Sequence, residues 1–231
     1  MRLLLASLLG CAWARIELRH TSRKSSEELS SVLRNDSALL EWQSSKARSN
    51  QAWVQNADSN TERVTRQRYA HLRVSGLTVL CVGARGGGEV RAFRSLGAFA
   101  VGTDIFPTDG GELVLKGSAH SLQFANASAD VIFSNVLDHI PDLSAFVSEA
   151  ARVLKPGGRL ITEVYLQMIS HDEWAVRDTG TQEFYATMHA AMRATGVMSL
   201  ASRRDSPGRA AWERNMMARV HQPDEVIWRK T

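Results

Sequence analysis

Cysteine is nearly absent: Cys11 and Cys81 are the only two in 231 residues. A pair so distant in sequence builds neither a disulfide framework nor a cysteine-based zinc site, and no metal centre is expected. Proline is scarce too. Its positions, Pro107, Pro141, Pro156, Pro207 and Pro223, all fall where turns or tails are expected, so none breaks an element. Runs of one charge sign are missing: 28 Lys and Arg stand against 24 Asp and Glu, a net charge of +4 spread along the chain. Nucleic-acid binding is thereby permitted but not indicated, and the basic, Ser-rich stretch 15–73 lacks the interleaved aromatics and dense charge of a nucleic-acid groove. What is present, 44% hydrophobic and 23% charged residues, suits one globular domain with an N-terminal extension and excludes a fibrous or wholly disordered chain.

The N-terminus is apolar from Leu3 to Ala12, too short to cross roughly 30 Å of hydrocarbon. Arg2, the short apolar stretch and the small residues Ala12 and Ala14 around Trp13 form the charge, core and A-x-A cleavage pattern of a signal peptide covering 1–14. The front half of an organelle leader, or a buried helix of the mature fold, are the alternatives. The sequons Asn35-Asp36-Ser37 and Asn126-Ala127-Ser128 fit a secretory route, although such triplets arise often by chance. The expected destination is the secretory pathway or an organelle, with the cytoplasm as the alternative, and no further membrane-spanning segment is expected.

Residues 15–73 form a polar extension with apolar positions at spacings of three and four, which predicts one or two short amphipathic helices, then another over 61–73 capped by Asn60 or Thr61. From residue 74 the character changes. The run 77–82 is β-branched and aliphatic between Gly76 and Gly83, as a strand buried on both faces should be. A helix over 88–96 follows, then strands over 98–103, 112–116 and 130–134, a helix over 143–154 and a strand over 158–166. A helix over 181–195 and closing strands over 197–202 and 214–221 complete the pattern. Strands alternating with helices predict an α/β fold with a parallel sheet and helices on both faces.

Gly83-Ala84-Arg85-Gly86-Gly87-Gly88 joins the first strand to the first helix, where such a sheet offers its crevice and a helix N-terminus to a ligand. Glycines there let a ligand approach the backbone, although tight packing alone also uses them. Asp104 ends the second strand, 21 residues after Gly83, where a carboxylate can accept both hydroxyl hydrogens of a ribose or, instead, cap the turn before Pro107. Loop and acid together favour an adenosine-containing cofactor. A dinucleotide fingerprint needs glycine where Arg85 stands, which argues against hydride transfer by a nicotinamide enzyme.

The segment from Asp130 through Asn135, Asp138, His139 and Ile140, the helix over 146–154, and Lys155-Pro156-Gly157-Gly158-Arg159-Leu160 resemble the class I S-adenosylmethionine-dependent methyltransferases, particularly the type 11 group. The likeness covers about 77–164. It implies a Rossmann-like class I methyltransferase fold with a mostly parallel seven-stranded sheet over 74–231, and S-adenosylmethionine as cofactor. By that resemblance Gly83, Ala84, Arg85, Gly86 and Gly87 line the methionine end, Asp104 holds the ribose, and Ile105 lies on the adenine. Ser118 and His120 stand near the adenine amino group, and Asn135 is where the fourth strand meets the site. The family's acid two residues before the first glycine is replaced by Cys81, Arg85 replaces a glycine, and Ser118 stands where Asp is common.

Methyl transfer from a sulfonium asks the protein mainly to align a nucleophile. His139 is the candidate general base and Asp138 its orienting partner, with a local packing or capping role as the alternative. The acceptor is expected to be a small molecule. Trp42, Trp53, Tyr69, Tyr165, Trp174, Phe184 and Tyr185 could line its pocket, or belong to the core. The competing reading is a catalytically weakened methyltransferase-like binding module, in which Cys81 and Arg85 have closed the pocket.

Overall fold

The central strands are short, aliphatic and covered on both sides. The computed structural model of the chain describes residues 41, 44, 45, 51–164, 182–204 and 224–231. Helix α1 (Gln51–Tyr69) leads into β1 (Thr78–Val82), α2 (Gly88–Ser95), β2 (Phe99–Asp104), β3 (Val114–Lys116) and β4 (Ala129–Ser134). A 3-10 turn (Leu137–His139), α3 (Leu143–Val153), β5 (Leu154–Val164), α4 (Gln182–Ala194), β6 (Met198–Arg204) and β7 (Asp224–Lys230) follow. The seven strands form one sheet in the order β3-β2-β1-β4-β5-β7-β6. Every pairing is parallel except those of β7, which runs antiparallel to both β5 and β6. The strand order reverses at β1 and β4, and in an open α/β sheet that is where a crevice forms at the carboxyl ends of the strands.

Alternation along each strand divides the core. Leu80, Val82, Ile132 and Leu160 point to one side, where Phe146, Val147 and Ala150 of α3 and Met188 of α4 cover them. Val79, Cys81, Val131, Phe133 and Ile161 point to the other, against Val90 and Phe93 of α2 and Tyr69 of α1. Helix α3 is capped by Asp142, whose carboxylate accepts from the N–H groups of Ser144 and Ala145.

Two expectations need correction, and a third falls outside the described residues. The helix expected over 61–73 is Gln51–Tyr69, so Asn60 and Thr61 lie inside it and cap nothing. Strand β5 begins at Leu154, with no gap after α3: Leu154 pairs with Ala129, residues 155–158 bulge out, and pairing resumes at Arg159 against Val131. The bulge accommodates Pro156 and the left-handed Gly157, while the Lys155 ammonium reaches Asp130 at 2.8 Å. The last strand is Asp224–Lys230, and the stretch 214–221, expected to form it, lies outside the described residues. The proposed leader and the first sequon also lie outside them.

Candidate functional site

The turn after β1 is tied to the end of β2. The N–H groups of Gly83 and Ala84 both donate to the Thr103 carbonyl, at 2.8 and 3.3 Å, and Gly87 closes the turn on the Ala84 carbonyl. Gly83 is left-handed (φ 83°), and a Cβ there would run into the Val136 methyls. Arg85 also has positive φ (32°), a costly conformation for a residue with a side chain. Asp104 holds it. The Arg85 N–H donates to Asp104 Oδ2 at 3.0 Å and the Phe106 N–H to Oδ1 at 2.7 Å. Burial raises the Asp104 pKa above the usual carboxylate value, and the Phe106 N–H and the Arg85 charge pull it back.

A hollow opens between this turn, the end of β2 and the segments after β3 and β4. Of the residues singled out from sequence, Gly83, Arg85, Asp104, Ile105, Ser118, His120 and His139 line it. Ala84, Gly86, Gly87, Asn135 and Asp138 do not form its wall. Ser118 is engaged locally, its hydroxyl accepting from the His120 N–H at 3.2 Å, and His120 Nε2 accepts from the Asp142 N–H at 3.3 Å. His139 Nε2 lies 3.7 Å from Asp138 Oδ2, both half-buried on the 3-10 turn. Asn135 turns away from the hollow's wall to donate to Glu89 Oε1 at 3.0 Å.

Several members escaped the sequence reading. Thr103, Val136, Ile140 and Pro141 also line the hollow, and the Thr103 hydroxyl is buried with no hydrogen-bond partner among the described residues. Glu89, in the first turn of α2, is fully buried. Burial pushes its pKa up to about 7, against the opposing pull of its own N–H and the Asn135 amide. An acid at that point of a sequence reads as a partner for the helix dipole, so nothing marked it as buried. Cys81 packs beneath it, and burial, with Glu89 nearby, drives the thiol pKa well above its ordinary value. That is the packing role a small apolar residue fills in a central strand.

The aromatics divide similarly. Tyr69 is core, its ring 5.8 Å from Phe93 and 5.4 Å from Phe133, and its hydroxyl donates to Glu163 at 2.9 Å beside the Arg68–Glu163 ion pair. Phe184 is buried under α4 and Tyr185 half-buried beside it. Trp42, Tyr165 and Trp174 lie outside the described residues.

A glycine turn at the sheet's reversal, a carboxylate ending β2 and a single antiparallel strand near one edge are thus joined to sequence likeness. Residues 80–162 match the family described as "Methyltransferase domain". The chain contains a class I methyltransferase domain. A protein of Mycobacterium sp. (strain KMS), described as an uncharacterized methyltransferase, is 34% identical over 134 residues, which are 52% of this chain and 50% of that protein. The chain spans about half the length of such curated relatives. Among solved structures, the methyltransferase domain is similar to Burkholderia thailandensis 1,6-didemethyltoxoflavin-N1-methyltransferase, solved with that compound and S-adenosylhomocysteine bound. The TM-score is 0.59 at 19% identity, covering 84% of this chain and 88% of that one. It is also similar to the [4+2]-cyclase SpnF, with a TM-score of 0.54 at 18% identity over 73% of this chain and 80% of that one. At these identities the likeness is one of fold. Among the described residues no helix is long and apolar enough to cross a membrane.

Proposed function

We propose that the methyltransferase domain transfers a methyl group from S-adenosylmethionine to a small-molecule acceptor. The observation that carries this reading is the Asp104 carboxylate on the wall of the hollow. Each of its oxygens accepts one backbone N–H, which leaves lone pairs for the two hydroxyls of a ribose. The residues present fit the cofactor in two further respects: Gly83 brings bare backbone to the hollow, and the Thr103 hydroxyl beside Asp104 is buried and unpartnered. The Burkholderia neighbour, with S-adenosylhomocysteine bound on the same fold, supports the choice of nucleoside.

Bound there, the cofactor would supply a methyl group on a sulfonium, already activated for displacement. The chain's own part is to hold and align. Asp104 fixes the sugar and Ile105 flanks the base, with Ser118 and His120 at its far edge. Gly83 and Arg85 shape the amino-acid end, and Val136 and Ile140 narrow the mouth. His139, whose Nε2 faces Asp138, accepts the proton of an acceptor hydroxyl or amine at Nδ1, and Asp138 stabilises the imidazolium.

A second reading is favoured by Arg85, which lines the hollow where a glycine is usual. A methyltransferase-like domain whose pocket Arg85 closes would take no nucleoside and serve as a binding module, and the resemblance to a cyclase is a reminder that the fold does not fix the reaction. Calorimetric titration of the full chain with S-adenosylhomocysteine and with NAD separates the cases. Micromolar binding of the first alone supports the methyltransferase. Binding of neither leaves the module, and binding of NAD alone overturns both.

A further inference from the structure

Helix α1 precedes the matched region 80–162, yet it lies directly on the glycine turn. The Asp58 carbonyl, the Glu62 N–H and Thr61 Cβ press against Gly88, and the Asp58 carboxylate occupies the space that a side chain on Gly86 would need. The helix is pinned there by Arg91 of α2, whose Nε meets Glu62 at 2.8 Å while its Nη1 donates to the Gly86 carbonyl at 2.9 Å. That carbonyl therefore already has a partner. The strand beneath offers Cys81 rather than an acid, and Glu89 is buried against Asn135. Asp58 is thus a half-buried carboxylate set over the turn itself, and it receives no side-chain hydrogen bond from any described residue. The charged groups that act on it are Arg91, Arg85, Asp104 and Asp109.

We propose that Asp58 binds the ammonium group of the cofactor's amino-acid tail, an inference that rests on the cofactor reading above. An α-amino acid carries opposite charges one carbon apart, so its site needs both complements. Arg85, on the wall of the hollow, offers the cation for the tail's carboxylate, and Asp58 offers the anion for its ammonium. A side chain on Gly86 would displace that carboxylate.

The test compares two probes on the full-length parent and on Asp58→Asn: S-adenosylhomocysteine, and 5′-methylthioadenosine, which keeps the nucleoside and thioether but has no amino-acid tail. Expected is a roughly ten- to hundredfold weakening of S-adenosylhomocysteine, the loss of one charge-assisted bond. Affinity for 5′-methylthioadenosine should stay within about twofold. Asp58→Glu should recover part of the loss. Asp58→Ser, measured the same way, covers the case in which the amide disturbs α1. Unchanged binding of S-adenosylhomocysteine, or equal loss of both probes in both variants, overturns the role of Asp58 and leaves the cofactor reading standing. A parent that binds neither probe overturns the cofactor reading, and this inference with it.

Discussion

At Gly83 backbone and neighbours agree: φ is 83° and the Val136 methyls fill the place of a side chain. Gly83→Ala should cost about 2 kcal/mol in urea unfolding, from strain and overpacking together, and should weaken S-adenosylhomocysteine by more than its effect on folding. Asp104→Ala should weaken the same ligand by roughly 1–3 kcal/mol on titration, through one or two hydrogen bonds to the ribose. Glu89 predicts a pH dependence. Its pKa rises from 4.5 to about 7 on folding, so its contribution to stability is intact below pH 4.5 and is lost as pH climbs to about 7. Glu89→Gln cannot ionise. Relative to the parent it should therefore gain up to about 3 kcal/mol between pH 4.5 and 8, and a flat difference across unfolding curves at the two pH values would refute the assignment. Asp104 was legible in the sequence because its position depends on one strand and one interval. Glu89, Asp58 and Thr103 were not, since each matters through what another element brings against it.

At the scale of elements, β1 to β4, β6 and helices α2 to α4 were legible within a few residues, because aliphatic runs bounded by glycine leave little choice, whereas β7 was not anticipated. The start of β5 was not. Pro156 and two glycines read as a turn between elements, whereas the pairing of Leu154 with Ala129 makes the turn a bulge within the strand. Helix α1 was half legible. Its stretch from Asn56 to Asn60 is rich in Asn, Asp and Ser, which have little intrinsic helix preference, so sequence alone starts the helix too late. Its C-terminal end predicts its own test. Tyr69→Phe removes the hydroxyl from buried Glu163 and should cost about 1–2 kcal/mol in chemical denaturation, with no change in affinity for S-adenosylhomocysteine. The cap of α3 is a control of known size: Asp142→Ala should cost about 1 kcal/mol.

For the whole molecule, the two layers over the sheet do different jobs. The α3 and α4 layer meets the sheet through apolar side chains, and its Glu149–Arg152 ion pair holds the backbone at Leu122 and Phe124 rather than the glycine turn. The α1 and α2 layer carries the charged groups, Asp58, Glu62, Arg68, Glu89 and Arg91, that meet the glycine turn and the end of β5. Family likeness begins at residue 80, and composition changes near residue 74, so both would set the edge of the domain after α1. The Tyr69 ring between Phe93 and Phe133 says otherwise. A recombinant fragment begun at Val74 would bare two phenylalanines to water and strand a carboxylate in the core, so it should precipitate on expression where one begun at Gln51 stays in solution. For anyone preparing this protein, the practical boundary lies at Gln51, 29 residues upstream of residue 80, where the family likeness begins.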